Sequence, residues 1–267
     1  MPTTARTIAL SFAPVLEHLE LEQASIVTLD EISRVAREAG IRTPAKIIAH
    51  RLARLGWLLP TGVRGVWEFA PADRAGPIGG GDPFLTLRAL LATGNDVGAT
   101  LALGSALWCL DLAERAPDRH EVAVPPGADV PSALRRSYRV VRFAPRLAPI
   151  EVRGAPVERP ASVLVHLVHR PTDVRSWSVA LDQLPALVDG STLEELAREL
   201  QDRPHATHVR LAYLTSGVAP KLAKQLAIEP AGKVWFGPRA KLLRHDARWN
   251  VADTVLPINP RELEGDR

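Results

Sequence analysis

The chain has 267 residues, a formal net charge of +3 and 46% hydrophobic residues. That apolar content excludes an intrinsically disordered chain, and the length predicts about two folded domains. The small net charge excludes a histone-like protein that coats nucleic acid with its whole surface. The single cysteine, Cys109, excludes an internal disulfide, and we expect it to be a buried residue in a protein of the reducing cytoplasm. No apolar run approaches the roughly 20 residues of a membrane-spanning helix, so we expect no association with a membrane.

The first 71 residues predict a small helical domain that ends in a β-hairpin. A helix at 10–23 precedes a second helix at about 29–39, for which Thr28 is the expected N-cap. A third helix is expected to begin with Thr43 as its N-cap and Pro44 in the first helical position. Two short apolar strands, WLL and VWEF, then flank a turn that contains two glycines. Helix, turn, helix and hairpin in this order predict a winged helix-turn-helix. Such a domain places the later helix of the motif, here the third helix of the chain, in the DNA major groove.

The third predicted helix separates an apolar face from a basic one. Its apolar stripe follows helical spacing at Ala45, Ile48, Leu52 and Leu55. The opposite face is expected to carry Lys46, Ala49, His50, Ala53 and Arg54. Residues 39–67 contain no acidic side chain, and they contain five cations, Arg42, Lys46, Arg51, Arg54 and Arg64. Because such cations neutralise DNA phosphates, the pattern favours DNA binding over a winged helix that contacts only protein.

The density of proline and glycine at 71–82 predicts a linker. We therefore predict two domains, a winged helix-turn-helix with its N-terminal helix at 1–75 and a larger mixed α/β domain at 82–267. The fold class of the whole chain is then α+β.

The second domain contains no strong catalytic or metal-binding motif. A GxxxxGK[ST] loop, a GxSxG turn and an HExxH pair are all absent from the sequence. Two pairs of histidines three residues apart, at 166/169 and 205/208, have no third ligand at a convincing spacing. We therefore expect no metal site and no cofactor.

One segment is similar to polymerase-β-type nucleotidyltransferases. Gly104 and Ser105 precede an apolar helix, and a strand at 121–124 follows. Such enzymes hold metal ions with two carboxylates two residues apart on that strand, where both side chains share one face. Glu121 fits the first position, but Ala123 occupies the second. We therefore expect either an inactive relative or an unrelated core, with no catalytic residue and no enzyme activity.

The C-terminal segment interleaves cations with aromatic residues. The cations are Lys233, Arg239, Lys241, Arg244 and Arg248, and the aromatic residues are Trp235, Phe236 and Trp249. This pattern is typical of a surface that contacts DNA or a protein partner, and equally of an ordinary sheet edge with solvated charges.

The order and extent of several stretches resemble the AbiEi family, the antitoxins of AbiE-type (type IV) toxin–antitoxin systems. The stretches that carry the resemblance are 51–71, 82–94, 101–118, 210–218 and 233–257. They are apolar and structural, and they are most similar to the longer actinobacterial members.

The resemblance implies a winged-helix domain that binds inverted repeats in the protein's own promoter, which is double-stranded DNA, and so represses its operon. It also implies a C-terminal domain that counters a cognate nucleotidyltransferase toxin. The DNA contacts would then come from Arg42, Thr43, Lys46, His50, Arg51, Arg54 and Arg64.

Two other functions stay open. The first is a ligand-responsive winged-helix repressor without a toxin partner, whose second domain binds a small molecule. The second is a nucleotidyltransferase with a DNA-binding extension, against which Ala123 argues.

Overall fold

The computed structural model describes residues 10–22, 25–71, 81–94, 96–229 and 231–263. Over these residues the helices are α1 (Ala13–Glu22), α2 (Leu29–Glu38), α3 (Ala45–Arg54), α4 (Leu85–Ala92), α5 (Leu103–Cys109), α6 (Ser132–Ser137), α7 (Pro160–His169), α8 (Trp177–Asp182), α9 (Leu184–Asp189), α10 (Leu193–Leu200), α11 (His205–Leu214) and α12 (Pro220–Leu226). The strands are β1 (Ile26–Thr28), β2 (Leu58–Pro60), β3 (Val66–Phe69), β4 (Thr100–Leu101), β5 (Glu121–Val124), β6 (Arg139–Arg142), β7 (Ile150–Val152), β8 (Ala155–Val157), β9 (Val234–Phe236), β10 (Arg244–Asp246) and β11 (Val251–Asp253). The predicted α+β class is confirmed.

The chain divides into two compact units. Unit 1 comprises Met1–Val97 together with Pro131–Ser137, and unit 2 comprises Gly98–Val130 and Tyr138–Arg267. This division differs from the expected boundary near 75–82, because α4 packs on β1 and β3 and α6 packs on α4. Residues 72–80 of the expected linker lie outside the described residues. Since α6 is inserted from the second half of the chain, no single cut separates the two units.

Unit 1 contains the predicted helices and hairpin around one apolar core. Strands β1, β3 and β2 form an antiparallel sheet in that order. The side chains of Ile32 on α2, Ile48 on α3 and Val15 on α1 are fully buried in the core. Thr28 accepts the N–H of Glu31 at 3.2 Å, which confirms it as the N-cap of α2.

The start of α3 differs from the prediction by one residue. Pro44 is the N-cap, no side chain caps the helix, and the first helical residue is Ala45. The prediction of Thr43 as the N-cap is therefore wrong. Pro44 has an extended ψ of 136°, and its carbonyl accepts the N–H groups of Ile47 and Ile48 at 2.8 and 3.2 Å.

Unit 2 is built on a mixed five-stranded sheet and a smaller three-stranded one. The larger sheet has the strand order β6-β5-β4-β8-β7, and the smaller has the order β10-β11-β9. Helix α7 is buried along almost its whole length and contacts α9, α10 and α11. These elements carry three charged or titratable groups of unit 2 described below, namely Glu121 on β5, Arg244 on β10 and His166 on α7.

Candidate functional site

Helix α3 presents one solvated face. Lys46, Ile47, His50 and Arg54 are exposed at spacings of one, four and eight residues from the first. The opposite side is closed by Ile48, Ala49 and Leu52, which are at most 1% exposed. Ala49 was expected on the basic face, and that expectation is wrong. It lies about 100° from Ile48 on a 3.6-residue helix, which places it at the edge of the buried stripe.

The cations of this region are free to meet an anionic ligand. Among the residues that the structure describes, Arg42, Lys46, Arg54 and Arg64 are exposed and form no ion pair or hydrogen bond. By contrast, Arg34 on α2 pairs with Glu38 at 3.1 Å. Unpaired cations lose no internal bond when they bind phosphate.

Thr43 and Arg51 differ from the other predicted DNA contacts. The guanidinium carbon of Arg51 lies 5.5 Å from the centroid of the Phe12 ring, and Phe12 is buried. Thr43 is half-buried and bonds to no helix end. The stacking of Arg51 on an aromatic ring directs it toward the segment that precedes α1.

Arg64 lies in the turn that joins β2 and β3. Gly62 and Gly65 flank it with φ angles of 81° and 78°, a region that glycine adopts without strain. The Thr61 hydroxyl donates to the Val66 carbonyl at 2.9 Å and accepts the Val63 N–H at 3.2 Å. These bonds fix the loop and leave Arg64 exposed at its tip.

The C-terminal cations of unit 2 divide into internal and exposed ones. Arg244 donates to the carboxylate of Asp253 at 2.6 Å and to the carbonyls of Leu256 and Ile258 at 2.9 and 2.7 Å. Because Asp253 is fully buried, Arg244 balances an internal charge. The expectation that Arg244 contributes to a contact surface is therefore not supported by its position.

The other four C-terminal cations are exposed. Lys233 and Arg248 lie over the rings of Trp235 and Trp249, at 5.7 and 4.9 Å from the ring centroids. Arg239 and Lys241 have no such neighbour among the described residues. They adjoin two exposed leucines, Leu242 and Leu243, of which the second is 55% exposed.

The nucleotidyltransferase-like segment forms a closed set of contacts. The buried carboxylate of Glu121 accepts the N–H of Gly104 at 2.9 Å and pairs with Arg139 at 2.6 Å. The Ser105 hydroxyl accepts the backbone N–H of Glu121 at 2.7 Å. Ala123 is fully buried on the same strand. The only carboxylate of this strand is thus already bound by protein groups.

A cavity of about 870 Å³ opens above this segment within unit 2. Gly104 and Glu121 line it, together with the segments 111–118 and 174–176. The charged residues on the lining are Asp111, Glu114, Arg115, Asp118, Glu121, Arg175 and Asp182.

The paired histidines are engaged by protein groups. His166 Nδ1 lies 2.9 Å from the Glu158 carboxylate, and His169 Nδ1 lies 3.0 Å from the Thr207 hydroxyl. Burial, with a smaller contribution from Arg203, lowers the pKa of His169 to about 4. Over the described residues there is no group of three potential metal ligands.

Burial raises the pKa of the Cys109 thiol to about 11, so this cysteine is not a reactive thiolate at neutral pH.

Residues 99–216 match the family model of the AbiEi antitoxin C-terminal domain. This match covers 118 of the 267 residues, and it supports an AbiEi-family antitoxin. The resemblance inferred from the sequence is thereby confirmed over these residues, and the match supports the role of an antitoxin in a toxin–antitoxin system.

The AbiEi match covers mainly unit 2, and a structural likeness extends over the whole chain. The crystal structure of the RV2827C protein from Mycobacterium tuberculosis is similar, with 27% sequence identity and a TM-score of 0.79. The alignment covers 95% of this chain and 94% of that one. No curated protein matches the chain significantly. No helix among the described residues is long and apolar enough to cross a membrane.

Proposed function

We propose that this protein is an AbiEi antitoxin, which binds inverted repeats in its own promoter through α3 and the β2–β3 loop, represses its operon, and counters a nucleotidyltransferase toxin through unit 2. The observation that carries the DNA-binding proposal is the set of exposed, unpaired cations Arg42, Lys46, Arg54 and Arg64. The acid-free run at 39–67 supports it, since no carboxylate there repels phosphate.

Helix α3 has the shape and chemistry that a major groove accepts. Its solvated face carries Lys46, His50 and Arg54 at successive turns, and its other face is closed against α1 and α2. The first turn of such a helix contacts base edges, and cations beside it fix the register on the phosphates. We retain Thr43 and Arg51 as proposed contacts at the margin of this face.

The Arg64→Ala variant should weaken promoter binding modestly and without regard to base sequence. Arg64 at the loop tip is proposed to contact one phosphate, so its loss should reduce the slope of log affinity against log salt by about one unit. A gel-shift titration at several salt concentrations measures this slope. An unchanged slope would remove the β2–β3 loop from the interface.

The proposed toxin contact uses the segment that holds Arg239, Lys241, Leu242 and Leu243. Exposed leucines among unpaired cations are costly to solvate and are typical of protein interfaces. Both ends of the segment are held. At one end the Leu243 N–H donates to the Asp253 carbonyl at 2.9 Å. At the other end the Pro238 carbonyl accepts the Thr254 hydroxyl at 2.8 Å. A segment fixed in this way loses little conformational entropy when a partner binds it.

We propose that the protein itself does not transfer nucleotides. Incubation with labelled nucleoside triphosphates, Mg²⁺ and total tRNA should give no incorporation, because Glu121 is bound by Arg139 and Gly104 and Ala123 cannot hold a metal ion. Labelling that disappears in a Glu121→Gln variant would contradict this prediction.

A ligand-responsive repressor is the second candidate function. The cavity of about 870 Å³ in unit 2 favours it, because its volume falls within the range of small-molecule sites. The product of the neighbouring gene distinguishes the two functions. Rescue of cells from a nucleotidyltransferase encoded in the same operon would support the antitoxin, whereas promoter release by a metabolite without any such rescue would support the repressor.

A further inference from the structure

Ile47 is an apolar side chain that the core of unit 1 does not use. It is 45% exposed, whereas Ile48 and Leu52 on the same helix are at most 1% exposed. The core cluster of unit 1 and the partly buried residues packed against it do not include Ile47. The packing of unit 1 therefore does not account for an isoleucine at this position.

The place of Ile47 on α3 is the place of a base contact. It is the third residue of the helix, next to Lys46 and one turn before His50. The N-terminal residues of a recognition helix meet base edges, while flanking cations meet phosphates. An isoleucine has no hydrogen-bonding group for a phosphate or for the polar edge of a base.

We infer that Ile47 reads the 5-methyl group of one thymine in each repeat of the promoter. The inference rests on the proposed DNA-binding function and adds the base that one residue recognises. The thymine methyl is the apolar group that base pairs of unmodified DNA present in the major groove, so it is the chemical complement of an exposed aliphatic side chain. Contact between the two removes apolar surface from water on both sides.

Deoxyuridine substitution tests this contact, because it removes the thymine methyl and keeps every hydrogen-bonding group. Duplexes tiled across the region upstream of the gene first locate the binding site of the wild-type protein. Each thymine of that site is then replaced in turn by deoxyuridine. We expect one position in each repeat at which the wild-type affinity falls about fourfold, as for the loss of one buried methyl group.

The Ile47→Ala variant should bind more weakly than wild type and should be insensitive to deoxyuridine at that same position. Alanine favours helix more than isoleucine, and the site is exposed, so the variant should fold normally. The matched control is Leu21→Ala, which removes another exposed aliphatic side chain, 77% exposed on α1. The Leu21→Ala variant should still lose affinity about fourfold when deoxyuridine replaces that thymine.

The possible results separate the inference from the function on which it rests. If the wild-type protein binds its promoter and deoxyuridine has no effect at any position, Ile47 does not read a methyl group. Ile47 also does not read a methyl group if deoxyuridine weakens the binding of wild type and of Ile47→Ala equally. If the wild-type protein does not bind its promoter at all, both the inference and the proposed DNA binding are wrong.

Discussion

The Lys46→Ala/Arg54→Ala variant is expected to bind its promoter on the order of a hundredfold more weakly than wild type. A lost base contact costs about 1–3 kcal/mol of binding, and both side chains lie on the solvated face of α3. The fold should not suffer, because neither residue has an internal partner among the described residues and alanine is a strong helix former. Gel-shift titrations measure the affinity, and circular dichroism checks the fold.

The control for this variant removes the same charge from a neighbouring helix. Arg34→Ala/Arg37→Ala takes two exposed cations from α2, one of which pairs with Glu38. If the effect on DNA binding came from net charge alone, this control would lose as much affinity as the α3 variant. We expect a loss several times smaller. Equal losses would mean that α3 does not form the interface.

The Arg244→Ala variant is expected to destabilise unit 2 by about 3–5 kcal/mol, which is typical of removing one partner of a buried ion pair. Asp253 is 0% exposed, and Arg244 provides its only cationic neighbour in an ion pair of the described residues. The Asp253 carboxylate also accepts from the Tyr213 hydroxyl at 3.2 Å, which cannot compensate the charge. Urea unfolding followed by circular dichroism measures the loss.

Arg248→Ala is the matched control in the same segment. Its guanidinium carbon lies 4.9 Å from the centroid of the Trp249 ring and is exposed, so its removal should cost less than about 1 kcal/mol. Similar unfolding midpoints for the Arg244 and Arg248 variants would show that Arg244 is a surface residue, as the sequence pattern allowed.

The sequence predicted unit 1 well where local signals decide the structure. Thr28 caps α2 because a threonine before an apolar-periodic run bonds to the helix start whatever the rest of the chain does. Thr43 does not cap α3, because Pro44 occupies the N-cap position. Pro44 has an extended ψ of 136°, so it precedes the helix and Ala45 is the first helical residue.

The features that the sequence did not predict depend on tertiary contacts. In sequence, Arg244 resembles the exposed cations near it. Its ion-pair partner, Asp253, lies on an adjacent strand. The unit boundary moved to residue 97 because α4 packs on β1 and β3, a contact with no local sequence signal. Ala49 was assigned to the wrong face since a small residue fits either side of a helix. The sequence does not predict the exposure of Ile47, because isoleucine is most often buried.

We propose that one chain both represses its promoter with α3 and counters a toxin with unit 2. A single strain tests it most directly, carrying a reporter under the chain's own promoter and a nucleotidyltransferase toxin from the same operon under separate control. The wild-type protein should silence the reporter and restore colony growth. The Lys46→Ala/Arg54→Ala variant should leave the reporter active and still restore growth, because its changes lie in unit 1. A variant that continues to silence the reporter, or that loses the rescue together with repression, would contradict the account.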